Sequence, residues 1–425
     1  MKILSEGSRG PSVELLQLGL CRAGFSSEAP DGIFGPKTGQ ALRQFQRENN
    51  LAPDGIAGRL SHAALMKWYT GFLRLKINAG DSFYQLSRKY GCTVSQLAAA
   101  NPGADPDNLL PGSEITVPLQ FDVVPENISY CSVLADCIVT GLCARYPFIS
   151  PAVIGRSIMG KPLHTLFLGS GSNRVIYAAA FHANEWITCP LLLKFTEDLA
   201  KAFISGSTIF SRSAETILSH STICLVPAVN PDGMDLAAGE LAEGSFYGCA
   251  REISRHYPRY SFPSGWKANI AGTDLNLQFP AGWEQARENK YSIGITSPAP
   301  ADFVGYTPLS APESRALQQL TVGFDPALVL ALHTQGRVIY WKYLDREPEN
   351  SKKIASLFSS VSGYGFEDTP YAAGFAGYKD WFIQDFNRPG FTVEAGIGKN
   401  PLPLADFDSI YGDILGILAN GALVT

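Results

Sequence analysis

Apolar positions recur along this chain in three different rhythms. Near the start, Val13, Leu15, Leu16, Leu18 and Leu20 form an amphipathic stretch, and Ala41, Leu42, Phe45 and Gln46 fall at helical spacing. Both segments predict helices. Two echoing turns accompany them, Asp31-Gly32-Ile33-Phe34-Gly35-Pro36-Lys37-Thr38 and Asp54-Gly55-Ile56-Ala57-Gly58. Glycine there supplies a positive φ and aspartate closes local hydrogen bonds. A second rhythm begins with alternation over 73–77, which predicts a strand. Phe83, Leu86 and Tyr90 then mark a helix, 94–100 marks another that Asn101-Pro102 stops, and 114–118 reads as a closing strand. From about residue 121 the pattern changes again. Buried strands are predicted at 175–181, 222–229, 327–332 and 391–393, and helices at 187–203 and 404–419. Such alternation predicts an α/β domain whose mixed or parallel sheet carries helices on both faces.

The rhythm therefore divides the 425 residues into domains 1–70, 71–120 and 121–425, consistent with a length that exceeds one ordinary domain. Apolar residues make up 45% and charged residues 17%, which permits a large core and argues against wholesale disorder. A net charge of -5 lacks the basic footprint of a nucleic-acid binder. No apolar run approaches the roughly 20 residues that span a bilayer. Met1-Lys2-Ile3-Leu4-Ser5-Glu6 is not a basic start followed by an apolar stretch, so no secretory signal peptide is expected. The eight cysteines form no C-x-x-C pair and read as free buried thiols, which favours synthesis in a reducing compartment.

Two short motifs sit where predicted strands end, the place where open α/β sheets bind ligands. Phe181-His182-Ala183-Asn184-Glu185-Trp186 spaces His182 and Glu185 so that one tight turn can direct both at an ion. Alone this is weak, because a structural histidine is the ordinary case. Ala331-Leu332-His333-Thr334-Gln335-Gly336 adds a second strand-end histidine, 148 residues beyond Glu185. Two histidines and a carboxylate, with a fourth position open to water, form the catalytic zinc arrangement of carboxypeptidase A. His62, His164, His220 and His256 have no comparable setting.

Several resemblances follow from these residues. The two D-G-I-x-G turns around an A-L-x-x-F-Q helix resemble the peptidoglycan-binding domain of wall hydrolases. The strand–helix–helix–strand segment with G-D-S-F-Y-Q-L-S, L-A-A-A-N-P and N-L-L-P-G-S-E-I-T-V-P resembles the LysM module, which implies binding to glycans that contain N-acetylglucosamine. The part after residue 121 resembles the zinc metallocarboxypeptidases. That likeness implies one zinc ion held by His182, Glu185 and His333. It also makes Glu394, in Phe391-Thr392-Val393-Glu394-Ala395-Gly396, the general base, as proton transfer beside a metal requires. Val229-Asn230-Pro231-Asp232-Gly233 matches the family's N-P-D-G loop, and Gly272-Thr273-Asp274-Leu275-Asn276 matches the G-V-D-x-N stretch of the substrate cleft, with Asn276 as a substrate contact. Tyr371 resembles the mobile tyrosine that closes over substrate.

Two departures bear on activity. Leu277 stands where true carboxypeptidases carry the Arg that clamps a free C-terminal carboxylate, and leucine cannot make that bidentate pair. Endopeptidase or relaxed action is therefore expected. Ala271 stands where related bacterial enzymes tend to carry an Arg, and Lys267 is the candidate to supply the missing charge to the oxyanion. The wall modules, with L-N-L-Q-F-P-A-G-W, H-T-Q-G-R-V-I-Y-W and G-K-N-P-L-P, resemble the γ-D-glutamyl-L-diamino acid endopeptidases of spore-forming bacteria. This implies a peptidoglycan stem peptide such as L-Ala-γ-D-Glu-meso-diaminopimelate as substrate, with Lys379 or Arg337 reading the distal carboxylate. Free thiols and the lack of a signal peptide are reconciled with a wall substrate by cytoplasmic or forespore origin with later access to the wall. A broader zinc carboxypeptidase and a catalytically weak wall-binding protein are the competing readings.

Overall fold

The computed structural model describes residues 1–106 and 108–424. The chain forms two compact units, Met1–Ser150 with Thr196–Ser207, and Pro151–Phe195 with Thr208–Thr425.

In the first unit, the helices Pro11–Arg22, Pro36–Glu48 and Arg59–Thr70 are built on a repeated device. Gln17 donates to Asp31 (2.7 Å), to the Ile33 carbonyl (3.2 Å) and to Thr38 (3.1 Å). Its own carbonyl accepts the N–H groups of Asp31 and Gly32, both at 3.0 Å. Gln46 does the same to Asp54 (2.9 Å), the Ile56 carbonyl (3.0 Å), Ser61 (3.1 Å) and the Gly55 N–H (2.9 Å). Gly32 and Gly55 take φ of 69° and 76°, which explains why glycine follows each aspartate.

No linker separates this part from the next. Gly71 caps the third helix in the left-handed region, and strand β1 (Phe72–Lys76) begins at the following residue. β1 pairs antiparallel with β2 (Glu114–Pro118) around the helices Phe83–Tyr90 and Val94–Ala100, the second of which starts with a Thr93/Gln96 capping box. Ile77, Phe83, Leu86, Leu97, Ile115 and Val117 fill the small core.

The helix Ser132–Arg145 packs against both parts, approaching the third helix so closely that a Cβ on Gly141 would lie 2.0 Å from the Thr70 carbonyl oxygen. Glu197 accepts the N–H groups of Val123 (2.8 Å) and Val124 (3.0 Å).

The second unit is organised by an eight-stranded mixed sheet. In chain order its strands are β3 (Ser150–Arg156), β4 (Pro162–Leu168), β5 (Asn173–Ala178), then, past the two-residue hairpin strands β6 (Thr208–Ile209) and β7 (Arg212–Ser213), β8 (Ser221–Val226), β9 (Leu328–His333), β10 (Val338–Tyr340), β11 (Gly365–Glu367) and β12 (Gly390–Glu394). The spatial order is β11-β10-β12-β9-β5-β8-β4-β3, with β12, β9, β5 and β8 mutually parallel.

Strand alternation explains why both faces are covered. Ile176, Cys224 and Val329 point to one face, where Trp283, Leu317, Tyr378, Trp381 and Phe382 cover them. Tyr177, Leu330 and Phe391 point to the other, where Phe195 and Phe358 pack on Tyr177 and Phe391, and Tyr177 Oη donates to the Leu418 carbonyl (3.0 Å). Each fully buried Leu, Ile or Val here contributes roughly 1.5–3 kcal/mol. The expected strands at 175–181, 222–229, 327–332 and 391–393 are β5, β8, β9 and β12 with ends shifted by up to three residues.

Candidate metal centre

Register brings the chemistry together. In the parallel trio β12, β9 and β5, Glu394 pairs with His333, and Ala331 pairs with Ala178. The carboxyl ends of neighbouring strands therefore converge. After β5 the chain runs through Ala180 at φ 50° to His182, and a single 3-10 turn, Ala183–Glu185, returns the carboxylate to the imidazole.

His182 Nδ1 lies 2.9 Å from Glu185 Oε1, His333 Nδ1 lies 3.0 Å from Glu185 Oε2, and the two Nδ1 atoms face each other at 3.2 Å. Glu185 and His333 are each 1% exposed. Two ring nitrogens and a carboxylate aimed at one point fit a cation held by all three, since lone pairs that face each other are otherwise repulsive. His182 Nε2 contacts Asp274 Oδ1 at 3.2 Å, so the carboxylate fixes the tautomer that leaves Nδ1 free to ligate.

Around these three residues stands a ring of supports. Glu185 Oε2 accepts the Thr334 N–H (3.2 Å), and Oε1 lies 3.3 Å from both Lys267 Nζ and Asn400 Nδ2. Asn400 also donates to the Thr334 carbonyl (3.0 Å) and accepts from its hydroxyl (2.8 Å). Asn230 of the N-P-D-G loop donates to the carbonyls of Phe181 (3.2 Å) and Ala268 (3.0 Å), tying the residue before His182 to the residue after Lys267. Burial would raise the Glu185 carboxyl, but His182 and Lys267 outweigh it and hold it well below the usual range. Lys267 is driven the other way: burial opposes its charge, yet Glu185, Asp274 and Glu394 raise its pKa. Burial, reinforced by Glu185, pushes the Glu394 carboxyl up to about 8.

The remaining expected residues are dispersed. Asn276 Oδ1 accepts the Tyr378 N–H (3.1 Å), and its Nδ2 makes no hydrogen bond among the described residues. Leu277 is 9% exposed and belongs to the core beside Tyr378 and Trp381. Tyr371 is 65% exposed, on a 3-10 turn, with its ring edge against Phe375 at 5.0 Å. Lys379 is buried, with Nζ donating to the Lys342 carbonyl (2.7 Å) and Thr369 (3.3 Å) and ion-paired with Asp380. Arg337 reaches Asp413 at 3.4 Å and lies over the Tyr364 ring. The structure thus gathers His182, Glu185, His333 and Lys267 in direct contact, with Glu394 acting on Lys267. It engages Lys379 and Arg337 with partners of their own.

Sequence reasoning gave no role to Asp274 or Asn400. Both lie inside motifs quoted above, G-T-D-L-N and G-K-N-P-L-P, but nothing in the spacing says that they turn toward a histidine or a glutamate more than 90 residues away.

The zinc carboxypeptidase family model matches residues 138–410. The chain belongs to the zinc carboxypeptidase family. It is a zinc metallopeptidase, and the family implies a zinc cofactor. A peptidoglycan-binding domain matches residues 9–65 and a LysM domain residues 75–118.

Among curated proteins, the chain is 44% identical over 301 residues to γ-D-glutamyl-L-diamino acid endopeptidase 1 of Lysinibacillus sphaericus, covering 70% of this chain and 72% of that protein. It is 40% identical over 276 residues to an uncharacterized Bacillus subtilis protein, covering 64% and 72%. Among solved structures, bovine thrombin-activatable fibrinolysis inhibitor in complex with tick carboxypeptidase inhibitor superposes at TM-score 0.52 and 17% identity, covering 69% of this chain and 96% of that one. Carboxypeptidase A from Helicoverpa armigera gives 0.51 and 18%, covering 80% and 81%. These two show the shared fold.

Proposed function

We propose that this peptidase cleaves the bond between γ-D-glutamate and the diamino acid, meso-diaminopimelate, in peptidoglycan stem peptides, using one zinc ion. The reading rests on the convergence of His182, Glu185 and His333 beside Lys267 and Glu394, on a chain that also carries two wall-binding domains. The 44% identity to an endopeptidase of that name supports it.

Bound between the three ligands, zinc supplies Lewis acidity to the scissile carbonyl and to the attacking water. Asp274 keeps His182 in its ligating tautomer, and Thr334 and Asn400 hold the Glu185 carboxylate. Glu394 takes a proton from the attacking water and delivers it to the leaving amine nitrogen. Lys267, charged and aimed into the site, faces the oxygen on which negative charge develops. Asn276 offers its free amide N–H to the substrate backbone, and Tyr371, exposed on its 3-10 turn, would close over it. Because Leu277 lies in the core, the cleft imposes no demand for a free carboxylate on the diamino acid, and the stem peptide is accepted with or without a following D-Ala. Wall binding by the first unit raises the local concentration of substrate. The glycan, with N-acetylglucosamine, is the partner of the LysM part.

The test is mass spectrometry of L-Ala-γ-D-Glu-meso-diaminopimelate, with and without a C-terminal D-Ala, after incubation with zinc-loaded protein. Release of L-Ala-γ-D-Glu from both is expected. Release of D-Ala alone would make the protein a carboxypeptidase instead. Distal-carboxylate recognition is tested by comparing diaminopimelate and lysine peptides on Arg337→Ala and Lys379→Ala. The residue whose loss erases the discrimination is the reader, and if neither does, another group reads it.

A further inference from the structure

Lys267 and Asp274 reach the metal centre from opposite ends of one short loop, and both ends are anchored. The Lys267 N–H donates to the Pro300 carbonyl (2.8 Å), the Lys267 carbonyl accepts from the Ala183 N–H (2.9 Å), and the Asp274 N–H donates to the Phe303 carbonyl (2.8 Å). Between them the loop turns around Asn269, which is 1% exposed. Asn269 Oδ1 accepts the N–H groups of Ala271 (3.1 Å) and Thr273 (3.0 Å), its N–H donates to the Thr273 carbonyl (2.8 Å), and its carbonyl accepts from Trp266 Nε1 (3.0 Å). The side-chain amide nitrogen is the group that leaves the loop, donating to Glu313 Oε2 at 3.3 Å. Glu313 is fully buried in the first turn of the helix Pro312–Phe324, and its other oxygen accepts the Ile158 N–H (3.2 Å).

The polarity of this contact is determined on both sides. Two N–H donors already occupy Asn269 Oδ1, so the amide must present Nδ2 outward, and Glu313 must accept. A buried polar link of this kind costs more to break than it contributes when made, because each partner is left unsatisfied. Asp274 follows Thr273 directly, and its carboxylate sets the imidazole of His182.

We infer that the Asn269–Glu313 hydrogen bond positions the loop 266–274 and, through Asp274 and His182, determines how firmly the metal is held and how well the site turns over. Both are positioning residues. The inference rests on the proposed ligation by His182, Glu185 and His333.

The experiment is a polarity swap in the full-length, zinc-loaded protein. Glu313→Gln sets an amide donor against the Asn269 amide. Asn269→Asp sets a carboxylate against Glu313. The double variant restores one donor and one acceptor with the direction reversed, while the Ile158, Ala271 and Thr273 N–H groups keep their acceptors. Three readouts are taken: zinc release into excess chelator, kcat against KM on the muropeptide, and melting of the metal-free protein.

Each single change is expected to speed zinc release about tenfold, the size of effect typical of residues behind metal ligands. Each should lower kcat while KM stays within about twofold, and the double variant should recover most of both. A single variant that cannot be folded, when the double folds and holds zinc, supports the same link. Zinc release and kcat unchanged in folded single variants would overturn the inference, as would a double variant no better than the worse single. If wild type leaves the γ-D-glutamyl bond intact, the substrate reading fails, but zinc release still decides this one.

Discussion

The first unit and the metal centre solve the same problem, holding polar side chains in fixed places, by opposite means. In the first unit, Gln17 and Gln46 each organise a turn within 21 residues of themselves, and the second copy repeats the contacts of the first. The centre in the second unit is assembled once, from His182, Glu185, Lys267, Asp274, His333, Glu394 and Asn400, which the sheet collects from across more than 200 residues. A local, duplicated device can lose one contact and keep its neighbours. A single constellation loses its function with one atom.

The strongest way to break this contrast is to remove the proposed proton shuttle without disturbing its surroundings. Glu394→Gln keeps the shape of the side chain and leaves the three ligands in place. Turnover of the muropeptide is expected to fall by about 10²–10⁴, the range of general acid–base catalysis, with zinc content unchanged. A variant with near wild-type kcat and full zinc occupancy would remove Glu394 from the mechanism.

Lys267→Met comes next. If Lys267 meets the oxyanion, kcat should drop by roughly 10²–10³, as for loss of one oxyanion donor, while KM changes little. Because Lys267 also sits 3.3 Å from Glu185, the zinc content must be measured alongside. Loss of zinc with normal turnover per bound ion would assign it to the ligand rather than to the substrate.

The same comparison explains what the sequence disclosed. The turns around Asp31 and Asp54 and the strands that end at His333 and Glu394 follow from local spacing, and both were legible. The contacts behind the ligands were not. Asn400 meets Glu185 across 215 residues and Glu313 meets Asn269 across 44, distances at which hydrogen bonding leaves no periodic trace. Lys379, a candidate reader of the distal carboxylate, has its ammonium on the Lys342 carbonyl, Thr369 and Asp380, contacts that its place in the chain did not announce. Hydrophobic rhythm tells which face is buried, but not which polar groups find each other inside.

A smaller effect probes the duplicated device. Gln46→Ala leaves the Gly55 N–H without its acceptor and removes the links to Asp54 and Ser61, which should destabilise the helical repeat by about 2–3 kcal/mol at roughly 1 kcal/mol per net hydrogen bond. Hydrolysis of a small soluble muropeptide should stay at the wild-type rate, while binding to insoluble peptidoglycan weakens. Equal loss of both activities would show that the repeat and the metal centre are not independent.

The smallest expected effect concerns Glu313, and its sign can be worked out. Burial pushes this carboxyl up to about 7. The N–H donors of Ile158 and Asn269 and of its own backbone oppose the rise, and the charge of Asp232 adds to it. In the unfolded chain the group titrates near 4.5, so between about pH 4.5 and 7 the folded protein binds the additional proton. Stability from this group is therefore fully present below that window and is lost as the pH rises through 7. A shift of this size sets a ceiling of about 3 kcal/mol, and an effective interior dielectric near 20 makes about 1–2 kcal/mol the expected value. The measurement is denaturant unfolding of the metal-free protein at pH 5, 6, 7 and 8, beside Glu313→Gln. The stability difference between wild type and variant should move against the wild type by that amount from pH 5 to 8, whatever its absolute size. A difference independent of pH would mean that Glu313 is ionised throughout, and that its N–H partners outweigh its burial.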